Sequence, residues 1–297
     1  MGSSDRSNQP PASRSAVAPA LFGIAALAAA AAIVLWSMSS ARTLGQLEHE
    51  EVSAFSKIRI WRDGDVRALT FVRDNGDEAV QSRINLSAPH TLVSPYARGM
   101  FGSYLYQPNP RRVLIVGLGG GAMVRFLLHH EPDVQIDAVE IDPAVVRLAD
   151  QFFGVRTGGN VRVHTADAVK FIESTSDRYD LILMDAFLRP SGDTDTVGVP
   201  TRLKTQEFLR RLKATLNPGG VVAFNINEHD TMEDDIATVA SVFTHVAVYR
   251  NPPSENKVVI AKDGTVPTDP EMRARVDALD QRFGGTMSFA DVLRNRE

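Results

Sequence analysis

One stretch constrains this chain more than any other: RRVLIVGLGGGAMVRFLLHHEPDVQIDAVEID, residues 111–142. The apolar run over residues 113–116 has the length of a strand buried on both faces. Gly117, Gly119, Gly120 and Gly121 follow at once, and residues 122–130 carry apolar side chains at helical spacing. Glycine lets backbone N–H groups approach a ligand and tolerates positive φ. A glycine turn feeding a helix N-terminus therefore suits a nucleotide-like molecule. A second apolar run, residues 136–141, carries Glu140 near its end, about 20 residues past the glycines, where a ribose diol needs an acceptor. The alternative is a tight turn in an α/β domain with a solvated Glu140. The flanking strand, helix and closing acid favour the ligand site.

After residue 142 the alternation of strand and helix continues. Pro143 opens a helix capped by Asp142. Strands are predicted over residues 161–165, 179–184 and 221–226, and helices over 168–173, 205–216 and 232–243. Asn217–Gly220 reads as the stop of the 205–216 helix, and residues 189–200 as a loop with solvated Asp193 and Asp195. Residues 245–249 and 258–261 lie too close for an intervening helix, so an antiparallel pair is predicted. Helices over 270–283 and 289–294 end the chain, a C-terminal extension of residues 263–297.

Three acids follow strands predicted to lie side by side in a parallel sheet: Glu140, Asp167 and Asp185. Ligands bind outside the carboxyl ends of such strands, so all three should line one crevice with the glycine turn. Glu140 can accept from ribose hydroxyls and Asp167 from an exocyclic adenine amine. Asp185 can bind a cation or accept a proton. Asp167 has a competing or concurrent role as a helix N-cap. His129, His130, His164, His229 and His245 show no metal-ligand spacing, so no metal site is expected.

Ahead of this core, residues 57–106 read as a small β domain. Alternating segments at 57–62, 66–72 and 78–84 are separated by the turn signals Asp63-Gly64-Asp65 and Asp74-Asn75-Gly76-Asp77. A helix is predicted after Pro95, with Tyr96, Met100 and Tyr104 on one side. Residues 1–15 read as a disordered tail. Residues 16–38 lack any charged side chain and read as a transmembrane anchor. Ser39-Ser40-Ala41 keeps a cleaved signal peptide open as the other reading. Residues 39–56 read as a linker, polar and helical from residue 43. The net charge of −4 argues against a nucleic-acid binder, and the absence of cysteine excludes disulfides and a cysteine nucleophile.

With these residues assembled, the chain resembles the spermidine/spermine synthase family, the polyamine aminopropyltransferases. The similarity runs over residues 57–262 and is carried by NPRRVLIVGLGGGAMVR, AVEIDPAVV, VRVHTADAVKFI and YDLILMDAF, in the family's order. It implies an α/β fold. The core, residues 107–262, would be a Rossmann-like, methyltransferase-type sheet, mostly parallel with an antiparallel last strand. It also implies aminopropyl transfer from decarboxylated S-adenosylmethionine to a small-molecule amine, with no prosthetic group. By position, Glu140 corresponds to the ribose-binding acid, Asp167 to the adenine-binding acid and Asp185 to the catalytic acid. Three departures stand out. Gly120 occupies a position where the family usually has an acid for the cosubstrate amine. Leu188 replaces a second acid after Asp185. The family's Tyr-Gln pair aligns with Tyr96-Ala97.

S-adenosylmethionine-dependent methyl transfer on the same scaffold remains open, and Gly120 favours it. A dinucleotide oxidoreductase matches Gly117-x-Gly119-x-x-Ala122 but not Asp167 or the leading β domain. A non-catalytic nucleoside-binding module is the fourth possibility. A cosubstrate made in the cytoplasm places a membrane-anchored catalytic domain on that side, with a secreted or periplasmic form as the other outcome. A homodimer fits the resemblance.

Overall fold

The computed structural model describes residues 44–297. The tail over 1–15, the span over 16–38 and the start of the linker lie outside the described residues. Among the described residues no helix is long and apolar enough to cross a membrane.

The first sheet is an antiparallel meander of β1 (Gln46–Val52), β2 (Lys57–Asp63), β3 (Val66–Val72) and β4 (Glu78–Asn85), in that order. β1 corrects the helical linker expected over residues 43–55. Its residues QLEHEEV favour a helix in isolation, but they pair with β2 from Gln46↔Arg62 to Val52↔Lys57. A cross-strand charge pair supports that register, Glu50 with Arg59 at 2.6 Å, and Glu48 reaches past β2 to Arg67 on β3.

The chain then forms α1 (Pro95–Met100), which tightens into a 3₁₀ turn at Phe101–Leu105. The second sheet follows: β5 (Arg112–Val116), β6 (Gln135–Glu140), β7 (Val161–Thr165), β8 (Tyr179–Met184), β9 (Leu216–Ile226), β10 (His245–Asn251) and β11 (Ser254–Lys262). Its order is β10-β11-β9-β8-β5-β6-β7. β9, β8, β5, β6 and β7 run parallel, and β11 runs antiparallel to both its neighbours. β9 begins five residues before the expected strand, because Leu216 pairs with Tyr179 of β8 and residues 217–220 bulge out before Val221 pairs with Leu181.

The helices between these strands are α2 (Ala122–His130), α3 (Pro143–Phe153), α4 (Ala168–Ser174), α5 (Gln206–Ala214) and α6 (Met232–Ala240). Their caps are local chemistry: Asp142 accepts from Ala144 N–H, Asp167 from Val169 N–H and Thr205 from Phe208 N–H. Last come α7 (Asp269–Arg282), opened by a Thr268–Glu271 capping box, and α8 (Phe289–Arg294). These terminal helices are part of the core. Phe283 and Phe289 are fully buried, and Phe283 packs on Tyr104 and Phe126. Each such ring contributes about 1.5–3 kcal/mol of burial.

Two packing facts position the site. First, Ile58, Ile60, Leu69, Phe71 and Ile84 of the meander share one apolar cluster with Val145, Leu148 and Phe153 of α3. β4 is thereby laid over the glycine turn. Second, the chain leaves β5 for β6 on one side and returns to β8 on the other, so a crevice opens between their carboxyl ends. β5 also separates β8 from β6. The expectation that the three acid-bearing strands lie side by side therefore holds for β6 and β7 only; the glycine strand β5 stands between them and β8.

Candidate active site

The cleft at this switch point encloses about 920 Å³ and is lined by Gly117, Gly119, Glu140, Asp167 and Asp185. Gly117 is the pivot. Its N–H donates to Val139 carbonyl, and Asp185 N–H donates to Val116 carbonyl, both at 2.8 Å. Gly117 has φ +94°, and a Cβ there would lie 2.2 Å from the Asp185 carbonyl oxygen. Only glycine lets the ends of β5 and β8 meet.

Gly120 and Gly121 do not line the cleft; they pack beneath it. A Cβ on Gly120 would lie 2.9 Å from the Phe153 ring and 3.0 Å from Ser82 Oγ, and one on Gly121 would meet Val155. Two of the four glycines assigned to ligand binding therefore serve helix–sheet packing.

Glu140 is 9% exposed and held by backbone: Oε2 accepts from Leu118 N–H and Oε1 from Asp142 N–H, each at 3.0 Å. Each oxygen keeps a lone pair for a hydroxyl. Burial pushes its pKa up, and the two N–H groups oppose that shift. Asp167 takes its expected role as helix N-cap, Oδ1 accepting from Val169 N–H at 2.9 Å, and its other oxygen, Oδ2, accepts from Arg202 at 2.5 Å, a partner not anticipated. Ile141, Ala168, Pro200 and Leu203 supply apolar walls nearby, suited to an aromatic base.

Asp185 lies across the cleft. Oδ2 accepts from Tyr96 O–H at 3.2 Å and Oδ1 from Asn225 Nδ2 at 2.8 Å. Loss of water raises its pKa from 3.8 to about 7, against the pull of those two donors. Burial and the adjacent carboxylate push the Tyr96 hydroxyl up as well, so it stays a donor. A carboxyl group balanced near neutrality, aimed into a cleft, suits proton transfer.

Asn225, Gln81 and Arg202 were not anticipated. Asn225 had one legible signal, its place at the carboxyl end of a parallel strand. Asp195 also departs from expectation. It is an ion-paired carboxylate with only 10% side-chain exposure, not a solvated loop acid. Lys204 Nζ lies 2.7 Å from Asp195, 2.5 Å from Asp235 and 3.2 Å from His229 Nε2. Asp195, His229 and Asp235 bring ligand atoms within 4.8 Å of one another, and the Lys204 ammonium supplies the positive charge among them. His229 Nδ1 lies 2.8 Å from the Asn227 carbonyl. Its Nε2 lies 3.0 Å from Asp235 as well as 3.2 Å from Lys204 Nζ. This hub ties the 189–200 loop to α6.

Residues 101–254 match the model of the spermine/spermidine synthase domain. A polyamine aminopropyltransferase of Vibrio vulnificus is 31% identical over 253 residues, covering 83% of this chain and 82% of that protein. Among solved structures, human methyltransferase-like protein 13 in complex with SAH is 28% identical with a TM-score of 0.55, covering 64% of this chain and 89% of that one. A probable spermidine synthase from Corynebacterium glutamicum is 24% identical with a TM-score of 0.64, covering 78% and 86%, a likeness of fold.

Proposed function

The chain belongs to the spermine/spermidine synthase family, and from that premise we propose that it moves an aminopropyl group from decarboxylated S-adenosylmethionine to an amine, with Asp185 taking the proton. It is a transferase of the polyamine aminopropyltransferase type. The observation that carries the proposal is the meeting of Asp185, Tyr96 and Asn225 in the same cleft as Glu140 and Asp167.

In this reading Glu140 accepts from the ribose hydroxyls and Asp167 from the adenine amine. The sulfonium and its propyl arm then extend toward Asp185. An alkyl amine has a pKa of about 10 and arrives as an ammonium. Asp185 takes one proton, and the freed lone pair attacks the methylene carbon bonded to sulfur. The C–S bond breaks, its electrons go to sulfur, and the products are the alkylated amine and neutral methylthioadenosine. Tyr96 and Asn225 hold the carboxylate in place while proximity supplies much of the rate.

Methyl transfer from intact S-adenosylmethionine is the second reading, and Gly120 favours it. The family's acid for the cosubstrate amine is missing there, and Phe153 and Ser82 occupy the space its side chain would need. Calorimetric titration of the full chain separates the two. Tighter binding of the decarboxylated cosubstrate, with methylthioadenosine released on adding an amine, is the expected result. Tighter binding of intact S-adenosylmethionine and release of S-adenosylhomocysteine would replace it with methyl transfer. Binding of NAD alone would overturn both.

A further inference from the structure

A second, open chamber, about 860 Å³ with the solvent at its mouth included, adjoins the nucleoside cleft and shares Gln81, Tyr96 and Phe187 with it. It is bordered by Tyr96 and Asn225, the two side chains that hold Asp185. Its charged lining residues are Arg73 and Glu228. Both are exposed, and neither has an ion-pair partner among the described residues. The adjacent Asp74 is already used, paired with Arg189 at 3.0 Å.

Amides form the rest of the polar lining. Asn256 Nδ2 donates to Asn225 Oδ1 at 3.3 Å and to Asn227 Oδ1 at 2.5 Å. Asn225 Nδ2 is spent on Asp185. Leu188, which lines the nucleoside cleft, brings no second acid after Asp185. A diamine would therefore place its distal ammonium in a chamber whose acid is matched by a guanidinium. One acid and one guanidinium, each free to pair, complement a group carrying both charges.

We infer that the acceptor is a basic amino acid. Its side-chain amine is alkylated at Asp185, its carboxylate pairs with Arg73 and its α-ammonium with Glu228. The inference rests on the aminopropyl-transfer reading above. The side-chain nitrogen gives a proton to Asp185 and forms the new C–N bond. The C–S bond of decarboxylated S-adenosylmethionine breaks with its electrons on sulfur, and the head group is unchanged.

Ornithine and 1,4-diaminobutane make a matched pair of probes, because they differ only by the α-carboxylate. With the full chain and decarboxylated S-adenosylmethionine, methylthioadenosine release should give kcat/KM for ornithine at least about tenfold above that for 1,4-diaminobutane. Arg73→Ala should collapse that ratio toward one, chiefly through KM for ornithine. Glu228→Gln, at a separate strand end, should lower it as well, which keeps the test decisive if either variant folds poorly. Preference for 1,4-diaminobutane, or a ratio indifferent to both substitutions, overturns the acceptor assignment and leaves aminopropyl transfer standing. Binding of the cosubstrate with no methylthioadenosine released by either amine overturns both.

Discussion

The two ends of the cleft are built on opposite plans. At the nucleoside end the polar side chains are fastened to backbone: Glu140 to Leu118 and Asp142, Asp167 to Val169. At the proposed acceptor end the charges of Arg73 and Glu228 stand on a turn and beyond a strand end, exposed. The first end is specified by the fold itself, because the acids assigned to binding also complete the turns and caps that hold the sheet together. The second is specified by side chains that can change without disturbing any element. A departure such as Leu188 is therefore cheap at the acceptor end, whereas loss of Glu140 would leave two buried N–H groups without partners.

That contrast is tested most directly at Asp185, which in the proposed reaction serves the chemistry and not the nucleoside. Asp185→Asn should lower kcat by roughly 10²–10⁴-fold, the usual range for a lost general base, with methylthioadenosine affinity within a few-fold by calorimetry. The same variant should melt higher than the parent at pH 8. The parent carboxyl has a folded pKa of about 7 against 3.8 unfolded, so the folded state holds more protons between those values and loses stability as pH rises through them. Normal turnover by the variant would remove Asp185 from the reaction.

Glu140→Gln tests the other end. It should weaken methylthioadenosine binding by about 1.5–3 kcal/mol, the scale of a lost charge-assisted contact, and leave the pH dependence of turnover in place. An unchanged dissociation constant would remove Glu140 from the site. The pH profile sharpens the comparison further. kcat/KM should fall about tenfold per unit below pH 7 as Asp185 takes up its proton, and nucleoside affinity should stay flat from pH 6 to 8. A parallel loss of affinity would place the titrating group at the nucleoside end instead.

Legibility in the sequence followed the same division. The glycine turn, the strand-closing acids and the α/β alternation are local patterns, and each appeared where the pattern placed it. The contacts that complete the site are not local. Tyr96 reaches Asp185 across 89 residues, and Asn225 does so across 40. β1 read as a helix because Glu, Gln and Leu are sound helix formers, and only pairing with β2 makes them a strand. Asp195 read as solvated because Lys204 is supplied by a later segment and Asp235 by α6. The glycines divided in the same way: a run of four announces a turn, but which of them touch a ligand depends on Phe153 and Val155 arriving from α3 and the residues after it.

A single absent methyl group sets the reach of the reaction. Because the backbone at residue 117 abuts the Asp185 carbonyl, the gap between the glycine turn and the proposed proton acceptor is a contact distance, fixed by van der Waals radii. Alanine at that position would prise two central strands apart and lengthen the path from sulfonium to carboxylate. The machine would then still grip its nucleoside and its amine, but hold them out of step.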